Sequence, residues 1–305
     1  MRFILILFVL VATGCGTLKS THTDNVKAFA KSAKTLSAAP GELYQDISDY
    51  RHQLKLIEVS TIYASDKIVP RLNKIVEVKN QFEQNAAQIN QSASLIESYA
   101  QCLLALTDAA YEKEWGKQSD ELSLQLNTAF DSYNKLFNKK LPSSVGNFIG
   151  GVVSQIGSIK LRQLQKRYLK SFVDTGAVII NDVCDYFTTI VALTLDNELN
   201  DLDKQFANIM TTFYDNVYDY QKAQNVNPFD YLKYYNPLYL DMKEKLEVLH
   251  DLQTKTITSM QRIKTAHQKL QTAVDFNQPS ELIAEIKDLY AATNDIKSSL
   301  KKLKK

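Results

Sequence analysis

Met242, Leu246, Leu249, Gln253, Thr256, Met260, Ile263, His267, Leu270 and Val274 follow one another in unbroken steps of four and three. That spacing is the seam of an α-helix lying along a long neighbour. A short break at Asn277-Gln278-Pro279-Ser280 follows, and Leu282, Ile286, Leu289, Thr293, Ile296, Leu300 and Leu303 repeat the pattern. Two seams joined by so short a link must run antiparallel. The first helix, about 38 residues, reaches about 57 Å at ~1.5 Å per residue, which is the proportion of a rod. Alternation of period two is sustained nowhere. The chain is therefore expected to be all-α, an elongated antiparallel helical bundle with long coiled-coil-like helices.

The same rhythm organises much of the chain. Leu43, Ile47, Tyr50, Leu54, Ile57, Thr61, Ala64 and Ile68 form one seam, and Leu72, Ile75, Lys79, Phe82, Ala86, Ile89, Ala93, Ile96, Ala100 and Leu103 another. Pro70 lies between them and predicts a kink or a short loop. A third run, Leu122, Leu126, Ala129, Tyr133 and Leu136, follows Trp115-Gly116 and ends near Lys139-Lys140. Phe172–Leu195 is apolar on more than one face and rich in β-branched residues. A strand fits that composition, but the helical periodicity on both sides favours a buried central helix. Asp196-Asn197 is the expected turn out of it, and Asn227-Pro228 with Asn236-Pro237 bracket an expected joint.

The N-terminus carries a different kind of information. Arg2 precedes an apolar run from Phe3 to Ala12, and Thr13-Gly14 leads into Cys15. A cationic start, a short greasy segment and small residues at its end make a secretory signal; the run is too short for a permanent span. Ala12-Thr13-Gly14-Cys15 resembles the lipobox of bacterial lipoproteins, with Ala12 at the position usually held by Leu. The resemblance implies cleavage of residues 1–14, lipid transfer to the Cys15 thiol and acylation of the new N-terminus. Gly16 stands where Asp would favour inner-membrane retention in enteric lipoproteins, so the resemblance implies an outer-membrane lipoprotein. Residues 15–40 are expected to be a tether holding at most a weak helix over Asp24–Leu36, and 41–305 a single bundle.

Composition then narrows the function. A hydrophobic share of 45% against 23% charged residues belongs to a folded chain. The net charge of +2 includes Arg2, so the mature chain is near neutral and nucleic acid is not an expected partner. Beyond Cys15 the cysteines are Cys102 and Cys184, which are expected as buried thiols, with a bridge permitted by an oxidising periplasm.

Two stretches stand out as candidate sites. Phe213, Tyr214, Tyr218, Tyr220, Phe229, Tyr231, Tyr234, Tyr235 and Tyr239 crowd into one joint. They could plug the end of the bundle, or bind a protein or glycan partner through large rings with polar tips. Leu141–Ile159 carries no charge and holds Gly146, Gly150, Gly151 and Gly157. A stripe of small residues lets helices approach closely. The segment fits the start of a core helix, and also a membrane-inserting segment like those of helical pore-forming toxins. Lys301, Lys302, Lys304 and Lys305 suit a helix C-terminus. No metal-ligating pair, nucleophile elbow or phosphate loop is present. His267, set in the seam beside Gln253 and Thr256, is expected to fix helix register. The expectation is a non-enzymatic, cofactor-free, lipid-anchored binding or scaffolding protein; the alternative is a membrane-active protein deploying residues 141–159.

Overall fold

A computed structural model describes residues 20–61, 65–107, 115–137, 162–276 and 279–303. Among the described residues the structure is helical throughout, with no strand. The elements are α1 (Ser20–Ser37), α2 (Ala39–Ser60), α3 (Ser65–Thr107), α4 (Trp115–Phe137), α5 (Arg162–Tyr186), a π turn (Phe187–Val191), α6 (Ala192–Ala223), α7 (Pro228–Phe276) and α8 (Pro279–Leu303).

Side-chain pairings fix the directions. Lys34 meets Glu97 at 3.7 Å, Tyr44 stacks on Phe82, Lys79 reaches Asp49 at 3.3 Å and Arg71 faces Glu58. Numbers rise along one side and fall along the other, so α1 and α2 lie in series along an antiparallel α3. In the same way α5 and α6 pair antiparallel with α7, through Lys264–Asp185 at 2.6 Å, His250–Asp203 at 3.0 Å and Phe213–Tyr235. The α7–α8 pair closes through Arg262 Nη1 donating to the Asp288 carbonyl at 2.7 Å and Ser299 Oγ donating to Asp251 at 2.9 Å. Between these pairs α2 and α6 run parallel: Arg51 of α2 binds Glu198 and Asp201, and Thr61 just beyond α2 accepts from Asn216.

The rod follows from this. At ~1.5 Å per residue, α3 with 43 residues spans about 65 Å and α7 with 49 about 74 Å. The α2–α3 and α6–α7 turns share one end, called distal here. The start of α1, the end of α3 and the α7–α8 link share the other, proximal end. The expected seams are buried: Leu43, Ile47 and Leu54 in α2, Ile96, Ala100 and Leu103 in α3, and Met260, Ile263 and Leu270 in α7.

At the centre of the proximal half, Tyr99 of α3 bonds His267 of α7, with 2.7 Å between Oη and Nε2. Tyr99 also stacks on Phe172 of α5, ring centroids 5.1 Å apart and planes within 3°. Phe29 of α1 packs on the His267 ring. Burial holds His267 at a pKa of about 3 and Tyr99 well above its ordinary range, so this is a neutral pair. Gly176 of α5 makes room for it, since a Cβ there would overlap the Tyr99 ring.

Several expectations are corrected. Helix α1 packs one face into the core rather than serving as a tether: Val26, Phe29, Ala30, Ala33 and Leu36 are 0–1% exposed. The alanines that suggested weak holding let α1 approach α3 closely. Pro70 neither kinks the chain into a new element nor forms a loop. It is the sixth residue of α3, so only one bond to the preceding turn is lost. The break comes earlier, where Ser60 and Thr61 hydroxyls close the last carbonyls of α2. Asp196-Asn197 is continuous helix, and Pro237 lies inside α7, leaving the joint to residues 224–227. The β-branched run forms the π turn. Thr188 and Thr189 hydroxyls bond the carbonyls of Cys184 and Asp185, competing with the ladder. Phe187, Val191, Leu195 and Leu199 are all buried at steps of four, and the wider turn keeps them on one face. Cys102 and Cys184, by contrast, are the free buried thiols expected, each pushed up to about 12 by burial.

Candidate functional site

The distal end is shaped by the α6–α7 turn. Asn225 takes a left-handed φ of 53°, a conformation asparagine tolerates better than most residues. Asn225 N–H bonds the Lys222 carbonyl and Val226 N–H bonds the Gln221 carbonyl at 3.0 Å. These two bonds make a Schellman motif that satisfies the last carbonyls of α6. Pro228 then opens α7, where its missing N–H costs nothing.

Either side of this turn the aromatic cluster divides. Phe213, Tyr214, Tyr235 and Tyr239 face inward. Phe213 meets Tyr235 edge-on at 5.1 Å, Tyr239 packs on Phe206 at 5.3 Å, and the Tyr214 hydroxyl donates to Asn236 at 3.1 Å. Burial raises the Tyr214 pKa. Tyr218, Tyr220 and Tyr234 face outward at 42%, 54% and 71% exposure. Plug and display thus coexist on the same two helices: Tyr218 and Tyr220 continue the stripes of Tyr214 and Phe213, four and seven residues further on, and are bared toward the end of α6. Phe229 and Tyr231 lie in the first turn of α7, and their side chains are outside the described residues, as are Cys15, Gly146, Gly150, Gly151 and Gly157. Lys301 and Lys302 end α8, which runs only part-way along α7, to the level of Asp251.

A second feature of this half is invisible in the seams. From Asp66 to Asn85 of α3, Ile75 is the one buried residue; among the described residues α3 here packs on α2. The two helices leave between them a cleft of about 480 Å³ lined by Ser48, Arg51, His52, Lys55, Glu58 and Val59 of α2 and by Arg71, Lys74, Ile75, Val78, Lys79 and Phe82 of α3. Arg51 sits over the Phe82 ring, 5.1 Å from its centroid, while its guanidinium reaches through to α6. Burial lifts the Glu198 carboxyl above its ordinary range and Arg51 draws it back. Three lining residues carry a buried polar atom with no hydrogen-bond partner among the described residues: Ser48 Oγ, Arg51 Nε and His52 Nδ1. Leaving such an atom unmatched costs about 1–3 kcal/mol.

Among the described residues no cluster of His, Cys, Asp or Glu could hold a metal. Asp182 accepts from the Tyr133 hydroxyl at 2.6 Å and Asp185 from Lys264, so these two carboxylates serve packing between helices. Leu169–Ala223 is long and apolar enough, by length and composition, to cross a membrane, although Phe172, Val173, Ile179 and Ile180 within it are core. The class defined by fold and site is a long antiparallel helical bundle with an aromatic distal tip. Comparison with protein-family models, curated proteins and solved structures gives no significant match to this chain.

Proposed function

We propose that this protein is a non-enzymatic binding or scaffolding lipoprotein of the bacterial envelope, held at the outer membrane through acylated Cys15 and engaging a protein or glycan at its distal tip. The observation that carries the reading is the separation of the two ends. Cys15 precedes α1 by five residues, a reach of at most about 18 Å at ~3.6 Å per residue. An anchor there keeps the proximal end at the bilayer. Tyr218, Tyr220 and Tyr234 lie at the other end, roughly 60 Å along the rod. Exposed tyrosines on a rigid support are suited to recognition, because the ring contributes apolar area and the hydroxyl a directional bond.

Chemical crosslinking in the native envelope tests this, comparing wild type with the Tyr218→Ala/Tyr220→Ala/Tyr234→Ala variant and following labelled palmitate in the same cells. The expected result is palmitate on both proteins and a crosslinked partner on wild type only. Crosslinks unchanged by the triple substitution would remove the tip from the reading, and absence of label would remove the anchor.

A further inference from the structure

The geometry points to the α2–α3 cleft as a binding site for a single-chain amphiphile with an anionic head, a carboxylate or a phosphate. This is separate from the tip: it concerns a small molecule, and its residues share none with the aromatic cluster.

The shape comes first. A cleft of about 480 Å³ is within the range of small-molecule sites and is lined on one wall by each helix. Val59, Ile75, Val78 and Phe82 supply apolar side chains from both walls. Water gains little from these surfaces, and an alkyl chain laid against them is removed from water together with them.

Charge selects the head group. The lining holds Arg51, Lys55, Arg71, Lys74 and Lys79 against the single carboxylate of Glu58. Some of that charge is already matched. Arg51 is held by Glu198 and Asp201 from α6, and Lys79 by Asp49 and Glu83. Lys55 and Arg71 share Glu58, at 2.7 and 3.7 Å, and Lys74 has no ion pair among the described residues. Arg51 and Lys79 each face two carboxylates, so the positive surplus is local: Lys55, Arg71 and Lys74 have Glu58 alone among them on their part of the lining, next to apolar walls that strengthen the field there. Such a site is adapted to a molecule that is apolar along its length and anionic at one end. A neutral apolar molecule would leave the cations unmatched, and a bare anion would leave the apolar walls wet.

The test is equilibrium titration of the full-length protein, below micelle-forming concentrations, with dodecanoate, dodecyl phosphate, dodecanol and inorganic phosphate. Saturable binding of one molecule per chain is expected for dodecanoate, dodecyl phosphate or both. The stronger of the two identifies a fatty acid or a lysophospholipid-like head as the source. Dodecanol and inorganic phosphate should bind at least about tenfold more weakly. Lys55→Glu/Lys74→Glu, one on each wall of the cleft, should weaken the anionic amphiphile by about tenfold or more with the circular dichroism melt unchanged. The proposal is overturned by no saturable binding of either anionic amphiphile, by dodecanol binding as well, by inorganic phosphate binding as well, or by full affinity in the charge-reversed variant.

Discussion

Gly176 stands in the middle of α5 with the ring of Tyr99 across its α-carbon. Two opposing terms meet at that position. Alanine favours a helix interior over glycine by about 1 kcal/mol, while overfilling a packed core costs about 1–3 kcal/mol. The second should win, because Tyr99 is fixed on three sides by Phe172, by the bond to His267 and by the Gly176 backbone itself. Gly176→Ala is therefore expected to destabilise the protein by about 1–2 kcal/mol in urea titration. In a Tyr99→Ala background the same change should become neutral or stabilising; an equal loss in both backgrounds would show that the ring is not the obstacle. His267 was legible as a buried seam position from its spacing alone. Its partner was not, since Tyr99 is 168 residues away and lies on the stripe of α3 that the seam does not use.

At the level of elements, the regular helices were legible and the special ones were not. Four-three spacing marked α7 and α8 as separate helices, but the seam from Leu43 to Ile68 ran on past the end of α2 at Ser60 into α3, so the break between those two was not legible. Helix α1 was expected only as a weak helix over Asp24–Leu36; its burial escaped because Ala30 and Ala33 signal weakness in isolation and close approach in context. The π turn escaped because one inserted residue shifts the stripe and reads as lost regularity. At the distal end the aromatic cluster was legible as a cluster, but its division into covered and bare rings depends on how far the neighbours of α6 and α7 extend along them. The cleft was hidden for a related reason. Its cations are spread over residues 51–79 on two helices, and each alone looks like part of a solvated face. The status of α1 can be measured. Phe29→Ala should cost about 3–5 kcal/mol in urea titration if α1 is core, whereas a tether would leave stability unchanged.

For the molecule as a whole, the proximal and distal halves divide the work. Helices α1, α4, α5 and α8 thicken the proximal half around the Tyr99–His267 contact, which makes a firm base beside the expected anchor. Among the described residues the distal half is thinner, with α2, α6 and the start of α7 packed together and the start of α3 lying on α2. That thinning is what opens the cleft and bares the tyrosines, so both candidate recognition surfaces arise from the same change in helix number along the rod. The account depends on the two ends being far apart. Spin labels at Asp24→Cys and Tyr220→Cys, read by pulsed dipolar spectroscopy, measure that separation directly. Both native positions are exposed; Cys15 is replaced as Cys15→Ser, and Cys102 and Cys184 are buried thiols, each pushed up to about 12 by burial, that do not compete for label. The expected distance is roughly 60 Å, the rise of the helices between the two levels. A distribution centred below about 40 Å, the span of a compact chain of this size with a radius of gyration near ~19 Å, would contradict it.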